Sequence, residues 1–109
     1  FDFQHMLEAN GVSFIEPDVS NCGGITVWMK VAKLAEARNL PVTSHGVHDI
    51  HVHLLGAIPN ASYLEVHGFG LERFIIEPLR IQDGYATANE TSGHGISFDW
   101  KALEEYRIS

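Results

Sequence analysis

Short apolar runs alternate with amphipathic stretches along the first two thirds of the chain. The apolar runs are bounded by Gly, Pro or Asn and predict three β-strands, at 12–15, 42–44 and 63–66. Between them, apolar positions recur with helical spacing and predict two α-helices, at 26–38 and 49–57. The first of these helices presents Val27, Val31, Leu34 and Ala35 on one face.

This β–α–β–α–β order is typical of parallel sheets, in which each pair of neighbouring strands is joined by a crossover helix. A parallel sheet must be covered on both faces, and three strands with two helices leave its edges open. A closed (β/α)8 barrel needs about 200–250 residues, whereas this chain has 109. The fold class is therefore predicted as α/β, with these strands forming part of a larger sheet.

The alternation of strand-like and helix-like stretches ends after Gly68. We therefore divide the chain into a sheet portion at 1–68 and a tail at 69–109. Asp83-Gly84 is a strong hairpin signal, and it predicts paired strands at 79–81 and 85–87. A polar loop follows, and a last helix is predicted at 101–107 with Asp99 as its N-cap. An N-terminal helical stripe at Phe3, Met6 and Leu7 ends at Asn10-Gly11.

Charge and composition exclude several classes of function. Seven Lys and Arg against 14 Asp and Glu give a net charge of −7, with the basic residues scattered. Nucleic acid and anionic membranes are therefore not expected partners, because both need clustered positive charge. No apolar run reaches the roughly 18–20 residues of a membrane span. The single cysteine excludes an internal disulfide and, with the absence of a signal-peptide pattern, favours a cytoplasmic location.

Three ionisable residues stand where predicted strands end: Asp18, His45 and Glu65. Parallel strands end at the same edge of a sheet, so these side chains can converge there. A carboxylate fixes the tautomer of a neighbouring imidazole and leaves its other nitrogen free as a base. A second carboxylic acid can donate a hydrogen bond to a developing oxyanion. The set suits proton abstraction beside a carboxylate, although acids at strand ends also serve as helix caps and a lone His is often structural.

Other polar residues admit rival interpretations. The segment from His45 to His53 contains four histidines and Asp49, which are metal-ligand types, but most fall on a predicted helix facing different sides. Cys22 is a conceivable nucleophile with His45 as its base, and Gly23-Gly24 a weak anion-binding turn. Structural roles are the commoner alternative for each.

The segment from Glu16 to Thr26, EPDVSNCGGIT, resembles the mandelate racemase / muconate lactonizing enzyme family of the enolase superfamily. The resemblance extends through the helix that ends at Arg38, the run LPVTSH that ends at His45 and the run YLE that ends at Glu65. Asp18 and His45 lie 27 positions apart, and His45 and Glu65 lie 20 apart, which agrees with the mandelate racemase subgroup. The resemblance covers nearly the whole chain, including IEPL at 76–79 and the Asp83-Gly84 hairpin.

The resemblance implies a C-terminal part of a (β/α)8 barrel, strands six to eight, with a tail that packs on a capping domain. It implies a Mg²⁺-dependent acid-sugar dehydratase, with a racemase or epimerase as the alternative. Asp18 would be the dyad carboxylate, His45 the general base or acid, and Glu65 the acid that contacts the substrate carboxylate. The family's Mg²⁺ ligands lie on earlier strands, so no metal ligand is expected in this chain, and no substrate-binding residue is assigned.

Two further expectations concern the chain by itself. Without the Mg²⁺ ligands we expect it to be catalytically inactive, as a truncated or purely structural module would be. Its open sheet edges predict aggregation, a homo-oligomer, or dependence on the rest of a barrel.

Overall fold

The computed structural model describes residues 2–108. Its regular elements are, in chain order, α1 (Asp2–Glu8), α2 (Ile25–Glu36), α3 (His48–Gly56), a 3₁₀ helix (Leu71–Phe74), β1 (Arg80–Gln82), β2 (Tyr85–Thr87) and α4 (Trp100–Glu104). Within the described residues, no helix combines the length and apolar character that a bilayer crossing requires.

Three extended segments form the sheet-like centre, and they run parallel as the sequence predicts. Val42 bridges Ile15 on one side and Ala61 on the other, both in parallel sense. The Thr43 amide donates to the Ile15 carbonyl (2.9 Å), and the Ser62 amide donates to the Val42 carbonyl (2.8 Å). The ladders are single bridges, so none of the three segments is a full strand over its predicted range.

The third parallel segment begins earlier than the predicted strand at 63–66, because the bridge to Val42 is made by Ala61, while the Ser44 amide donates to the Tyr63 carbonyl (3.2 Å). Asn60 explains the earlier pairing. Its side-chain amide donates to the carbonyls of Ala32 and Leu40 (3.3 and 3.0 Å), while its own carbonyl accepts from Val42. Asn60 thus fixes the chain immediately before Ala61, where the pairing with Val42 begins.

Helix α2 packs one face against these segments and forms much of the hydrophobic core. Its buried residues are Trp28, Val31, Ala32 and Ala35, a helical i, i+3, i+4, i+7 stripe. The buried face of α2 is rotated slightly from the predicted one, since Leu34 is exposed and Trp28 is fully buried. The reason is a hydrogen bond from the Trp28 indole N–H to the Pro17 carbonyl (2.8 Å), which gives the buried polar atom a partner.

Helix α3 buries polar residues together with apolar ones. Leu54 and Leu55 join the hydrophobic core, but His48, Asp49 and His51 are also buried. Buried polar groups need partners, and these three bind to segments outside their own helix. They therefore connect α3 to the loops around it.

The tail forms the hairpin that Asp83-Gly84 predicts, with Arg80 opposite Thr87 and Gln82 opposite Tyr85. Helix α4 is shorter than predicted and ends at Glu104, but its N-cap is confirmed: the Asp99 carboxylate accepts from the amides of Lys101 and Ala102. The Leu79 amide donates to Asp49 (3.2 Å), which joins the tail to α3. The division at residue 68 stays a prediction.

Candidate functional site

The loops that follow the three parallel segments bring the predicted residues together. His45 Nδ1 lies 3.5 Å from Asp18 Oδ2, at the outer limit of a hydrogen bond. Glu65 Oε2 accepts from the Gly46 amide at 3.1 Å. The ligand atoms of His45 and Glu65 lie within 4.8 Å of each other. The structure therefore places Asp18, His45 and Glu65 at one edge, in that order.

Asp18 is held as a carboxylate by its own loop. Burial would raise its pKa, but hydrogen bonds from the Ser20 hydroxyl and amide, from the Asn21 side chain and from His45 outweigh it and lower the pKa to about 2. The side chain is 12% exposed, whereas that of His45 is 56% exposed. The charged carboxylate can thus accept from His45 Nδ1–H, which leaves the other nitrogen of an accessible ring free to take a proton.

Gly46 makes room for the Asp18 carboxylate. Its φ is +85°, and a Cβ built there would lie 2.9 Å from Asp18 Oδ2 and 3.1 Å from Asp18 Cγ. Both the backbone conformation and the contact disfavour any other residue. Gly46 also supplies the amide that Glu65 accepts from, so one glycine contacts both acids of the site.

We expect Gly46→Ala to destabilise the protein by about 1–3 kcal/mol, because the strained φ and the contact with Asp18 act together. Thermal unfolding of the purified protein measures this. The control is Gly56→Ala, where a Cβ meets nothing within 4 Å, and which should leave stability unchanged or slightly raised. Equal melting temperatures for the two variants would contradict the assigned role of Gly46.

His67 belongs to the same cluster and was missed in the sequence. Its Nε2 lies 2.9 Å from Glu65 Oε2 and 2.9 Å from the Gly46 nitrogen. The signal was present, because residues two apart on an extended segment point to the same side. Glu65 and His67 have that spacing.

The histidine-rich segment does not form the metal site that was considered. His51 accepts from the Val19 amide and donates to the Val47 carbonyl, while His48 accepts from the His67 amide. The one metal-type cluster among residues 2–108 joins His45 with Glu65 and His67. Two imidazoles and one carboxylate do not fit Mg²⁺, which prefers oxygen ligands.

Cys22 lacks the environment of a nucleophile. Burial raises the pKa of its thiol, and the Asp18 charge acts in the same direction. A reactive cysteine needs the opposite, a thiolate favoured by positive surroundings. Its Sγ lies 3.8 Å from the Gly24 carbonyl rather than in contact with the His45 ring.

Comparison with known proteins agrees with this architecture. The family model described as "Enolase C-terminal domain-like" matches residues 1–102. A 3,6-anhydro-alpha-L-galactonate cycloisomerase from Streptomyces coelicolor is 47% identical over 103 residues, covering 94% of this chain and 28% of the relative. A D-xylonate dehydratase from Haloferax volcanii is 31% identical, covering 99% and 28%.

Solved structures give the same result. A racemase from Streptomyces coelicolor with bound magnesium matches with a TM-score of 0.90 and 43% identity, over 95% of this chain and 28% of that one. An enolase from Bradyrhizobium with magnesium and mandelic acid matches with a TM-score of 0.90 and 36% identity, over 98% and 29%. An L-talarate dehydratase from Polaromonas with Mg and L-glucarate matches at 0.86 and 27%, over 94% and 27%.

These matches have two consequences. The chain spans just over a quarter of the length of the relatives it matches, and its three parallel segments correspond to part of a TIM-barrel fold. Because the family model covers almost the whole chain and the resemblance in the segment around Asp18 agrees with it, this chain belongs to the enolase C-terminal domain-like family of mandelate racemase and muconate lactonizing enzymes.

Proposed function

We propose that this chain supplies one side of the active site of an enzyme that removes the α-proton of a 2-hydroxy carboxylate, and that its reaction is the dehydration of an acid sugar. The observation that carries the proposal is the convergence of Asp18, His45 and Glu65 beyond three parallel segments. Relatives named as acid-sugar dehydratases and a cycloisomerase support the substrate class.

His45 is the proposed base. Its ring is half exposed, and its Nδ1 faces a carboxylate that stays charged at neutral pH. Nδ1–H therefore donates to Asp18, and the opposite nitrogen is free to accept the α-proton. Asp18 also stabilises the imidazolium that forms, as a carboxylate does in other acid–imidazole pairs.

Glu65 is the proposed contact to the substrate carboxylate. Its side chain is 41% exposed, so it can meet a ligand, while the Gly46 amide holds one oxygen in place. As the α-proton leaves, negative charge grows on the substrate carboxylate, and a hydrogen bond from an acid at this position strengthens with it.

The wider architecture follows from the same proposal. The segments at Ile15, Val42 and Ala61 are the sixth to eighth strands of a barrel, residues 1–68 form its C-terminal part, and 69–109 return to a capping domain. The face between the segments leaves Phe14 and Tyr63 exposed, as an interior wall without its opposite side would. The Mg²⁺ described in related structures then depends on ligands outside this chain.

A graft tests the function. In it, this chain replaces the matching segment of the Streptomyces coelicolor cycloisomerase, so that the rest of a barrel is present. The folded graft, with Mg²⁺ in D₂O, is given 3,6-anhydro-alpha-L-galactonate, D-xylonate, D-galactonate and galactarate. We expect deuterium at C2 of at least one recovered substrate, together with its keto-acid product.

The outcomes separate the alternatives. Exchange at C2 with keto-acid formation supports a dehydratase or cycloisomerase. Exchange with inversion and no keto acid would replace the dehydratase by a racemase or epimerase. A graft that folds and binds Mg²⁺ but exchanges no C2 proton in any of the four substrates would overturn the proposal.

A further inference from the structure

Two imidazoles and a carboxylate meet at the sheet edge that holds the candidate site. One ligand atom from each of His45, Glu65 and His67 lies within 4.8 Å of the other two. Glu65 Oε2 and His67 Nε2 are 2.9 Å apart, which is close to the roughly 3.3 Å between neighbouring ligand atoms of a tetrahedral site with metal bonds of about 2.0 Å. Imidazole nitrogen and carboxylate oxygen are ligands that Zn²⁺ and related transition metals bind.

We propose that His45, Glu65 and His67 bind a divalent transition metal of the Zn²⁺ type, and that this metal blocks the candidate site. It is distinct from the Mg²⁺ of related structures, which prefers oxygen ligands. The metal would occupy both His45, the proposed base, and Glu65, the proposed contact to the substrate carboxylate, so metal and substrate exclude each other. Metal binding depends on the cluster alone. Inhibition rests on the proposed function and deepens it, because it names a regulator of the same site.

Asp18 orients His45 toward a metal. Its carboxylate faces His45 Nδ1 at 3.5 Å, so Nε2 is the ring nitrogen left for a ligand. Ser20 and Asn21 donate to the same carboxylate and fix it in turn. A carboxylate behind a metal-binding imidazole sets the ring orientation and makes the ring a stronger ligand, and such pairs are usual in zinc sites. The outer partner that a zinc-binding histidine needs is therefore present.

His67 is held in place by its neighbours, whereas the other two ligands are open to solvent. The His67 amide donates to His48 Nδ1 (3.3 Å), and the Phe69 ring stacks on the His67 ring with centroids 4.3 Å apart. The side chain of His67 is 17% exposed, that of Glu65 is 41% exposed and that of His45 is 56% exposed. A metal can therefore enter from solvent, and a shift of at most about 1.5 Å, from 4.8 Å to the tetrahedral separation, closes the site around it.

The Gly46 amide keeps a partner when the metal binds. Its nitrogen lies 3.1 Å from Glu65 Oε2 and 2.9 Å from His67 Nε2, and one N–H needs only one of these acceptors. A carboxylate has lone pairs for an amide and a metal together, whereas an imidazole nitrogen has one. In the metal-bound site the Gly46 N–H therefore donates to Glu65, and the His67 lone pair goes to the metal. Any proton that the ligand atoms carry is released as the metal binds.

Calorimetric titration of the 109-residue chain with Zn²⁺, in millimolar Mg²⁺, tests the site directly. We expect one Zn²⁺ per chain with micromolar or tighter affinity. His67→Asn removes a ligand and should weaken binding about 100-fold, at least as much as the loss of an outer partner does. His5→Asn, in exposed α1, is the matched control and should bind like the parent. No Zn²⁺ binding by the parent, or equal affinities of the two variants, would overturn the inference.

Ring-nitrogen NMR of the unsubstituted chain gives an answer even if His67→Asn does not fold. One equivalent of Zn²⁺ should shift the ring nitrogens of His45 and His67 and leave those of His5 and His94 in place. Shifts confined to histidines outside the cluster would assign the metal elsewhere and reject the proposed site.

The graft tests inhibition. With saturating Mg²⁺ and substrate well below saturation, Zn²⁺ at ten times its dissociation constant should leave about one tenth of the C2 exchange rate, because occupancy follows mass action. A Zn²⁺-selective chelator should restore that rate. The His67→Asn graft, compared with its own rate without Zn²⁺, should keep most of its exchange. An equal fractional loss in both grafts would show that Zn²⁺ acts at the Mg²⁺ site, and would overturn the proposed inhibition.

Failure of the inference and failure of the proposed function give different results. A chain that binds Zn²⁺ through His45 and His67, in a graft that exchanges no C2 proton, supports the metal site and contradicts the proposed function. A chain that binds no Zn²⁺, in a graft that exchanges, overturns the metal site and leaves the proposed function standing.

Discussion

Replacing His45 by asparagine in the graft is expected to lower the rate of C2 proton exchange about 10⁴-fold, the upper end of what a positioned acid–base group contributes. Asparagine keeps an N–H near the position of Nδ1 and so can still donate to Asp18, which lies 3.5 Å from the ring. What it removes is the nitrogen that accepts the proton. Deuterium incorporation at C2, followed by NMR, measures the effect.

The control for His45→Asn is His94→Asn, because His94 lies exposed in the polar loop of the tail. It should exchange at the unsubstituted rate. Melting temperatures of both variants show whether the substitution acts through folding. Exchange by His45→Asn at the rate of the His94 control would remove His45 from the mechanism.

Local pattern was enough to predict the elements that depend on local interactions. The hairpin follows from Asp83-Gly84, whose φ values of +52° and +81° are those that this turn requires. The cap of α4 follows from Asp99, whose carboxylate meets two free amides. Parallel order followed from alternation of strand and helix, and the bridges at Val42 confirm it.

The start of the third segment and the buried face of α2 depend on contacts that no periodicity contains. The third segment pairs from Ala61, before the predicted 63–66, because the Asn60 side chain donates to two carbonyls that are distant in sequence. The buried face of α2 is rotated toward Trp28 because its indole finds a partner at Pro17. Both corrections come from single side-chain hydrogen bonds across the fold.

In the candidate site, too, some residues could be predicted from the sequence and others needed the structure. Asp18, His45 and Glu65 could be proposed because strand ends converge in parallel folds, and the structure brings them together. His67 was accessible from its spacing to Glu65, but only the Gly46 amide between them shows that they form a pair. His51 was read as part of a metal-like cluster, and its partners at Val19 and Val47 lie in two separate loops.

His51 links the loops that carry both members of the proposed dyad. Its Nδ1–H donates to the Val47 carbonyl (2.7 Å), two residues after His45, and its Nε2 accepts from the Val19 amide (3.1 Å), next to Asp18. The residue is fully buried and packs near Trp28. Both bonds require the neutral ring, because a protonated ring has no acceptor for Val19.

Replacing His51 by leucine is expected to destabilise the protein by about 1–3 kcal/mol, since the buried Val19 amide loses its side-chain acceptor, whereas the Val47 carbonyl keeps the backbone amides of Ile50 and His51. In the same variant, amide hydrogen exchange of the peptide that contains Val19 should become faster. His51→Gln, which offers one donor and one acceptor, should recover part of the loss. The control is His53→Gln on the same helix, which should leave hydrogen exchange at Val19 unchanged. Unchanged exchange at Val19 in His51→Leu would refute the link between the loops.

The contribution of His51 to the free energy of unfolding should depend on pH, in a direction set by its pKa shift. Burial lowers the pKa of His51 below its ordinary 6.5, against smaller opposing effects of the Val47 carbonyl and the Asp18 charge. Below pH 6.5 the unfolded chain therefore binds a proton that the folded protein excludes, so this contribution to stability is full above pH 6.5 and decreases as the pH falls. The stability difference between the parent and His51→Gln should shrink as the pH falls below 6.5, because the other titrating groups cancel in the comparison. Denaturant unfolding between pH 5 and 8 measures it, and a difference that is constant over this range would show that His51 is not held neutral by the fold.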